Sequence, residues 1–281
     1  MILYLNCNTN KRDSWTKDVY LLRAAKRLGI KYVKKYEPQK EPVEPEYVLN
    51  IEPYSFKKGK KWTGIWEIDL LLQHQLNPEH YKQADVIFCA VNFIPKVIKP
   101  FKEKCVLLYQ ACDPKIHHPY KEIRKKYDIV FYGNDEFDIY SERRRIYKLL
   151  QEKYNVKMGG RHLSPPTYSK LLNEAKIQFI RSLGQTPEQG EIAQRFFECL
   201  AIGPVLTNWC EDLSYLGGEG IDFCSYRNDE EMFLKLDRLL KDENYREYVA
   251  NNGRKKALAF HTYQHRLATI LYYANRKRHY H

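Results

Sequence analysis

The 281-residue sequence contains no run of about 18 apolar residues, so no membrane-spanning helix is expected. Its first residues, Met-Ile-Leu-Tyr-Leu-Asn, lack the basic start of a secretory leader and read as a strand. The seven cysteines are an odd, scattered set without a Cys-x-x-Cys pair. Cys7, Cys89, Cys105, Cys199 and Cys224 lie in or beside apolar runs, as free core thiols do. That pattern argues against a disulfide scaffold and for a reducing, cytoplasmic setting, the host's cytoplasm if the chain is viral. Neither Gly-x-Gly-x-x-Gly nor Gly-x-x-x-x-Gly-Lys-Ser/Thr occurs, which weakens NAD-binding and ATP-hydrolysing readings. His117 and His118 are adjacent and so point apart, and no second cluster accompanies them; no metal site is expected. An apolar content of 43% excludes a disordered chain.

Positive charge is in excess. The formal net charge is +12; residues 1–112 carry 19 Lys and Arg against 12 Asp and Glu, and the remainder 28 against 23. A basic surface suits nucleic acid, an anionic membrane or a nucleotide sugar, and it also fits a plain lysine-rich protein.

Hydrophobic periodicity alternates between strand and helix along the whole chain. Strands are expected at 2–7, 30–36, 47–51, 64–69, 84–90, 105–109, 128–132, 156–158, 176–181 and 221–225, and another begins at Val205-Leu206. Helices are expected at 16–28, 139–154, 167–175, 229–240 and 245–259. In the first of these, Val19, Leu22, Ala25 and Lys26 or Leu28 mark the inner face, and Gly29 is the stop. The pattern implies an α/β chain of two Rossmann-like domains. A proline-punctuated crossing at 110–125 divides them into residues 1–112 and 126–262, with a last helix and a basic tail at 263–281.

One stretch concentrates polar chemistry. Residues 189–208 read as a glycine-bearing loop, a short helix, a Gly203-Pro204 stop and a buried strand. A helix from the loop onward puts Glu191, Arg195 and Glu198 on one exposed face and Ile192, Phe196, Cys199 and Leu200 on the other. Carboxylates on such a stripe can accept ribose hydroxyls, and an arginine with free helix N–H groups suits a diphosphate. A solvated helix face with a Glu-Arg pair has the same spacing. Elsewhere, Lys57, Lys58, Lys60 and Lys61 beside Trp62 combine phosphate-binding cations with a stacking ring, or form a solvated hairpin tip. Glu67, Asp69 and His74 close a strand where open α/β sheets bind ligands, and any of them can equally cap a helix.

The segment "RFFECLAIGPVLTN" resembles the R-x-FE-x-L-A-x-G-x-x-L-T pattern of CgeB-like, spore-coat-type glycosyltransferases, relatives of the group-1 enzymes. "LLYQACDPKIHHP", "YDIVFYGN", "NEAKIQFIRSL" and "FHTYQHRL" agree in order, so the likeness runs over most of residues 105–267. The resemblance implies a GT-B fold: two facing Rossmann-like domains, with a terminal helix crossing back to the first. It implies a nucleotide-sugar co-substrate, UDP-sugar foremost, and no tightly bound cofactor. Glu198 is then the ribose carboxylate. Arg195, or Arg181 with Lys176, meets the diphosphate, and the helix start near Gly190 and Glu191 adds N–H donors. Gly133, Asn134, Gly160 and His162 line the base pocket. Group-1 enzymes usually place seven residues between two glutamates and this chain has six, which leaves the catalytic role of Glu191 open. Asp69 and His74 are further catalytic candidates, as bases in an inverting reaction. The favoured acceptor is a hydroxymethylated base of double-stranded DNA, as in bacteriophage DNA modification, with Lys11, Arg12 and the Lys57–Lys61 cations holding phosphates. A glycan or protein acceptor, and an inactive binding module, are the alternatives.

Overall fold

The computed structural model describes the chain except for residues 8–16, 38–39, 41–43, 52–55, 69–76, 93–95, 133–140, 160–162, 183–190 and 277–281. Two units are present, one of Met1–Gln110 with Tyr263–His281 and the other of Ala111–Thr262.

In the first unit, β1 (Leu3–Cys7), β2 (Val33–Lys35), β3 (Tyr47–Ile51), β4 (Trp62–Glu67), β5 (Val86–Cys89) and β6 (Cys105–Leu107) form one sheet in the order β2-β1-β3-β4-β5-β6. Every pairing is parallel. β3 and β4 are buried along their whole length, Asn50, Thr63 and Glu67 included. The α1 helix (Lys17–Arg27) ends where Gly29 adopts φ +68° and the Ile30 N–H returns to the Ala25 carbonyl. Its buried face differs from the expected one. Tyr20, Leu21, Ala24 and Ala25 face inward, whereas Leu28 is 51% exposed. The neighbour decides this rotation: Tyr20 stacks on Tyr263 at 4.7 Å and 8°. Tyr263 opens the C-terminal helix α8 (Tyr263–Arg276), which buries Leu267, Ile270 and Ala274 in this unit and sets Tyr273 edge-on to Phe88. Arg266 of the same helix donates from Nε to the Tyr109 carbonyl at 2.6 Å and from Nη2 to Gln110 at 2.9 Å. The α2 helix (Pro78–Gln83) buries Tyr81.

The second unit contains β7 (Tyr127–Tyr132), β8 (Val156–Gly159), β9 (Ala175–Ile180), β10 (Val205–Asn208) and β11 (Cys224–Tyr226), parallel and ordered β11-β10-β9-β7-β8. The α3 helix (Ser141–Gln151) and α6 (Asp229–Lys241) cover one face, where Ile146, Leu150, Met232, Leu236 and Leu239 meet Ile129, Phe131, Ile177 and Phe179. Right-handed crossovers put α4 (Pro165–Asn173) and α5 (Gln194–Leu200) on the other. The longest helix, α7 (Glu243–Phe260), packs on both α5 and α6. Strand order reverses between β7 and β9, since β8 lies outside β7 while β9 and β10 run the other way. Ligands of such sheets bind beyond the carboxyl ends at this switch point.

Candidate nucleotide-sugar site

The α5 helix is short because both ends are determined locally. The Gly203 N–H closes on the Cys199 carbonyl, Pro204 prevents another turn, and Arg254 Nη1 caps the Ala201 carbonyl at 2.6 Å. Gly253 of α7 lets the two helices touch: a Cβ there would lie 2.7 Å from Leu200 Cδ1 and 2.3 Å from the Asp222 carbonyl oxygen. The expected three-charge stripe is not formed. The helix begins at Gln194 after an extended Ala193, so Glu191 lies before it, off the helical face, and is 7% exposed. For the same reason the first helical N–H groups are not at Glu191, and Gly190 is outside the described residues. Glu198 is not on a solvated face either. It is 6% exposed, among buried Phe196, Phe197, Cys199 and Leu200.

A buried carboxylate needs donors. Glu198 Oε1 accepts from Gln194 Nε2 at 2.6 Å and lies 3.4 Å from His117 Nε2. Oε2 receives no hydrogen bond from the described residues. His117 is wholly buried and held by a tight turn. The His117 and Ile116 N–H groups reach the Asp113 carbonyl, the Lys115 N–H reaches Asp113 Oδ1, and the Asp113 N–H donates to His117 Nδ1 at 3.1 Å. The α4 helix fixes this segment from the side: Ser169 Oγ donates to the Ile116 carbonyl at 2.6 Å, and Asn173 holds the His118 carbonyl and the Tyr120 N–H. Arg195 is half-buried beside the Tyr168–Cys199 pair, and burial pushes the Cys199 thiol up to about 12.

A second polar cluster flanks the carboxyl end of β9. Buried Arg143, at the start of α3, donates from Nε to the Arg181 carbonyl at 3.0 Å. Arg181 Nε is itself buried and has no hydrogen-bond partner among the described residues, and the same is true of Ser182 Oγ, Thr207 Oγ1 and Tyr226 OH. Burial raises the Tyr226 phenol, and the Arg181 charge partly opposes the rise. The Ser182 N–H is fixed by Asn208 Oδ1 at 2.7 Å. Unsatisfied polar hydrogens around a guanidinium at a switch point suit an oxygen-rich anion.

The glycosyl transferase-like family profile matches residues 115–272, more than half of the chain, and spans both clusters. The chain belongs to this family. Among solved structures, Anabaena Alr3699/HepE in complex with UDP and glucose aligns with a TM-score of 0.64 at 10% identity, covering 98% of this chain and 100% of that one. A glycosyltransferase from Rickettsia africae ESF-5 aligns with a TM-score of 0.63 at 9% identity, over 100% and 99% of the two chains. The DNA-modifying enzyme β-glucosyltransferase aligns with a TM-score of 0.61 at 12% identity, over 99% of each. At such identities the likeness is one of fold, and the fold is GT-B. A comparison with curated protein sequences finds no match.

Several of the other expected site residues are engaged within their own units. Lys176 opens β9 at its amino end, opposite the switch point, and pairs with Asp128 at 2.9 Å. Lys60 and Lys61 precede β4 at the amino edge of the first sheet and pair with Glu44 at 3.0 Å and Glu46 at 2.6 Å. Trp62 is 2% exposed with its ring over Gly64, so it cannot stack on a base. Lys57 is anchored through its backbone to Asn50 and holds its ammonium 5.5 Å from the Tyr36 ring; Lys58 is exposed. Glu67, at the carboxyl end of β4, is buried and accepts from Tyr81 OH at 2.8 Å. Asp69, His74, Lys11, Arg12, Gly133, Asn134, Gly160 and His162 fall outside the described residues. The two clusters also contain His117, Gln194, Arg143, Ser182, Thr207 and Tyr226, which the sequence did not mark as site residues. Only His117 carried a local signal, the Asp-Pro-x-x-His turn.

Proposed function

We propose that the chain transfers a glycosyl group from a nucleotide-sugar donor, a UDP-sugar first among them, to a hydroxyl acceptor. The observation that carries this reading is Glu198: a buried carboxylate with one oxygen held by Gln194 beside His117, and the other accepting no hydrogen bond from the described residues. In this reading Glu198 accepts the ribose hydroxyls. Arg181 and Arg195 face the diphosphate, and Gly133, Asn134, Gly160 and His162 border the base. Fixed cations then stabilise the leaving diphosphate as the glycosidic bond breaks, without calling on a metal ion. Transfer with retention requires no side-chain base; the inverting alternative uses Asp69 or His74 to take the acceptor's proton.

The favoured acceptor is a hydroxymethylated base in duplex DNA, flipped from the stack, with Lys11, Arg12, Lys57 and Lys58 on phosphates. The net charge of +12 and the DNA-modifying β-glucosyltransferase among the similar folds support it. The CgeB-like resemblance supports a glycan or protein acceptor as the second reading.

The test is a thermal-shift and donor-hydrolysis screen of UDP-, GDP- and ADP-sugars, with and without hydroxymethylated duplex DNA. Stabilisation by one donor, with turnover rising on addition of modified DNA and falling steeply with salt, is the expected result. Binding without any DNA effect transfers the reading to a glycan or protein acceptor. A folded Glu198→Ala variant should lose at least about 100-fold in kcat/KM through the loss of a buried charged contact. Wild-type turnover in that variant means the donor site is elsewhere, and no nucleotide binding at all leaves a binding module.

A further inference from the structure

We propose that His117, with Gln194, is a positioning residue that presents Glu198 to the donor's ribose; this rests on the reading of Glu198 given above. The two side chains converge on one oxygen. Gln194 Nε2 lies 2.6 Å from Glu198 Oε1 and His117 Nε2 lies 3.4 Å from the same atom. The tautomer follows from the turn. Because the Asp113 N–H donates to Nδ1, the neutral ring carries its proton on Nε2, a buried atom with no hydrogen-bond partner among the described residues that lies 3.4 Å from the carboxylate. The ring has no freedom to leave: it is 0% exposed, edge-on to Tyr168 at 6.4 Å, and its own turn is clamped by Ser169 on the Ile116 carbonyl. The Gln194 hydrogen bond on Oε1, with the His117 Nε2–H beside the same oxygen, sets the carboxylate so that a small closure onto His117 fixes its plane and leaves Oε2 for a ligand. Gln194 reaches Glu198 from one helical turn earlier, so it cannot by itself resist rotation of the whole short helix. His117 comes from a segment 81 residues away in sequence and ties the carboxylate to α4, which a helix of seven residues with no side-chain N-cap needs.

Two amides separate the roles of the two imidazole nitrogens. In His117→Asn the amide sits near the former Nδ1, keeping an acceptor for the Asp113 N–H while losing reach to Glu198. In His117→Gln the amide reaches the former Nε2 position and restores a donor to the carboxylate. Binding of UDP, GDP and ADP and of their 2′,3′-dideoxy counterparts is measured by calorimetry for the full chain. The wild type should prefer the ribose form of whichever nucleotide binds, and Glu198→Ala should abolish that preference. His117→Asn should weaken the ribose form by about tenfold, the order of one charged hydrogen bond, while the dideoxy affinity is unchanged; His117→Gln should recover most of the preference.

A merely structural histidine lowers the melting temperature and weakens both nucleotides alike, which overturns the proposal. If Glu198→Ala abolishes the preference and His117→Asn keeps it, the proposal fails while the reading of Glu198 stands. If the wild type shows no preference, or binds none of the nucleotides, both fall together. Should His117→Asn not fold, Gln194→Leu carries the test, and a ribose preference undiminished in that variant overturns the shared positioning.

Discussion

Replacing Gly253 by alanine tests whether α7 holds α5, and with it Glu198, in place. In an open helix this substitution stabilises, because glycine costs about 1 kcal/mol relative to alanine. Here the added methyl would lie 2.3 Å from the Asp222 carbonyl oxygen and 2.7 Å from Leu200 Cδ1. Non-bonded heavy atoms settle near about 3.5 Å, so the backbones must part by roughly 1 Å. Leu200 can rotate, but the Asp222 oxygen belongs to the main chain and moves only with it. Overpacking of this kind costs about 1–3 kcal/mol, enough to offset the helix-propensity gain. We expect Gly253→Ala to lose about 1–2 kcal/mol, which is a fall of roughly 2–8 °C for a unit of this size. Asn251→Ala, at an exposed position of the same helix, is the control and should gain about 0.5 kcal/mol. Differential scanning calorimetry of the full chain reads both, and UDP affinity should fall with Gly253→Ala as α5 is displaced. A melting temperature that rises in Gly253→Ala as it does in Asn251→Ala refutes the packing argument.

Arg181→Met removes a half-buried guanidinium whose buried Nε has no hydrogen-bond partner among the described residues, so it should leave stability unchanged or raised while UDP affinity drops about tenfold or more. Unchanged UDP affinity by calorimetry would take Arg181 out of the donor site. The double variant Lys60→Ala, Lys61→Ala breaks two exposed ion pairs at the amino edge of the first sheet and should alter donor turnover and duplex-DNA affinity by less than about twofold. A larger loss of DNA affinity would return those lysines to the acceptor surface. Hydrogen bonds from Arg145 hold the Glu142 and Asp229 carboxylates below their ordinary values. Folded values under the unfolded ones mean a contribution complete above about pH 5 and lost as pH falls through the folded values. Both side chains are substantially exposed, so the stability gap between wild type and Arg145→Met should be under about 1 kcal/mol at pH 7 and close as pH falls through the folded values. Urea midpoints across pH measure it, and a gap that widens in acid contradicts the assignment.

The α/β class, the parallel strands and the stops at Gly29 and Gly203 were legible because each rests on local chemistry: apolar runs too short for helices, glycine where a helix turns back, proline where it cannot continue. The 189–208 stretch announced itself by the same local means. What local periodicity does not encode is which end of a strand faces a ligand and which helical face another helix will cover. Lys176 and Lys61 differ from Arg181 only in lying at the amino ends of parallel strands, a distinction that exists once the sheets are assembled. Glu198 reads as a surface charge from its spacing, yet it is 6% exposed, with the wholly buried His117 ring beside its carboxylate. His117, set aside as one of two adjacent histidines, meets that carboxylate only because a turn at Asp113 and the side of α4 hold it there. Sequence by itself determined the elements and the family segment. Contacts between residues distant along the chain decided which charged groups are buried, and therefore which of them have a reason to bind a ligand.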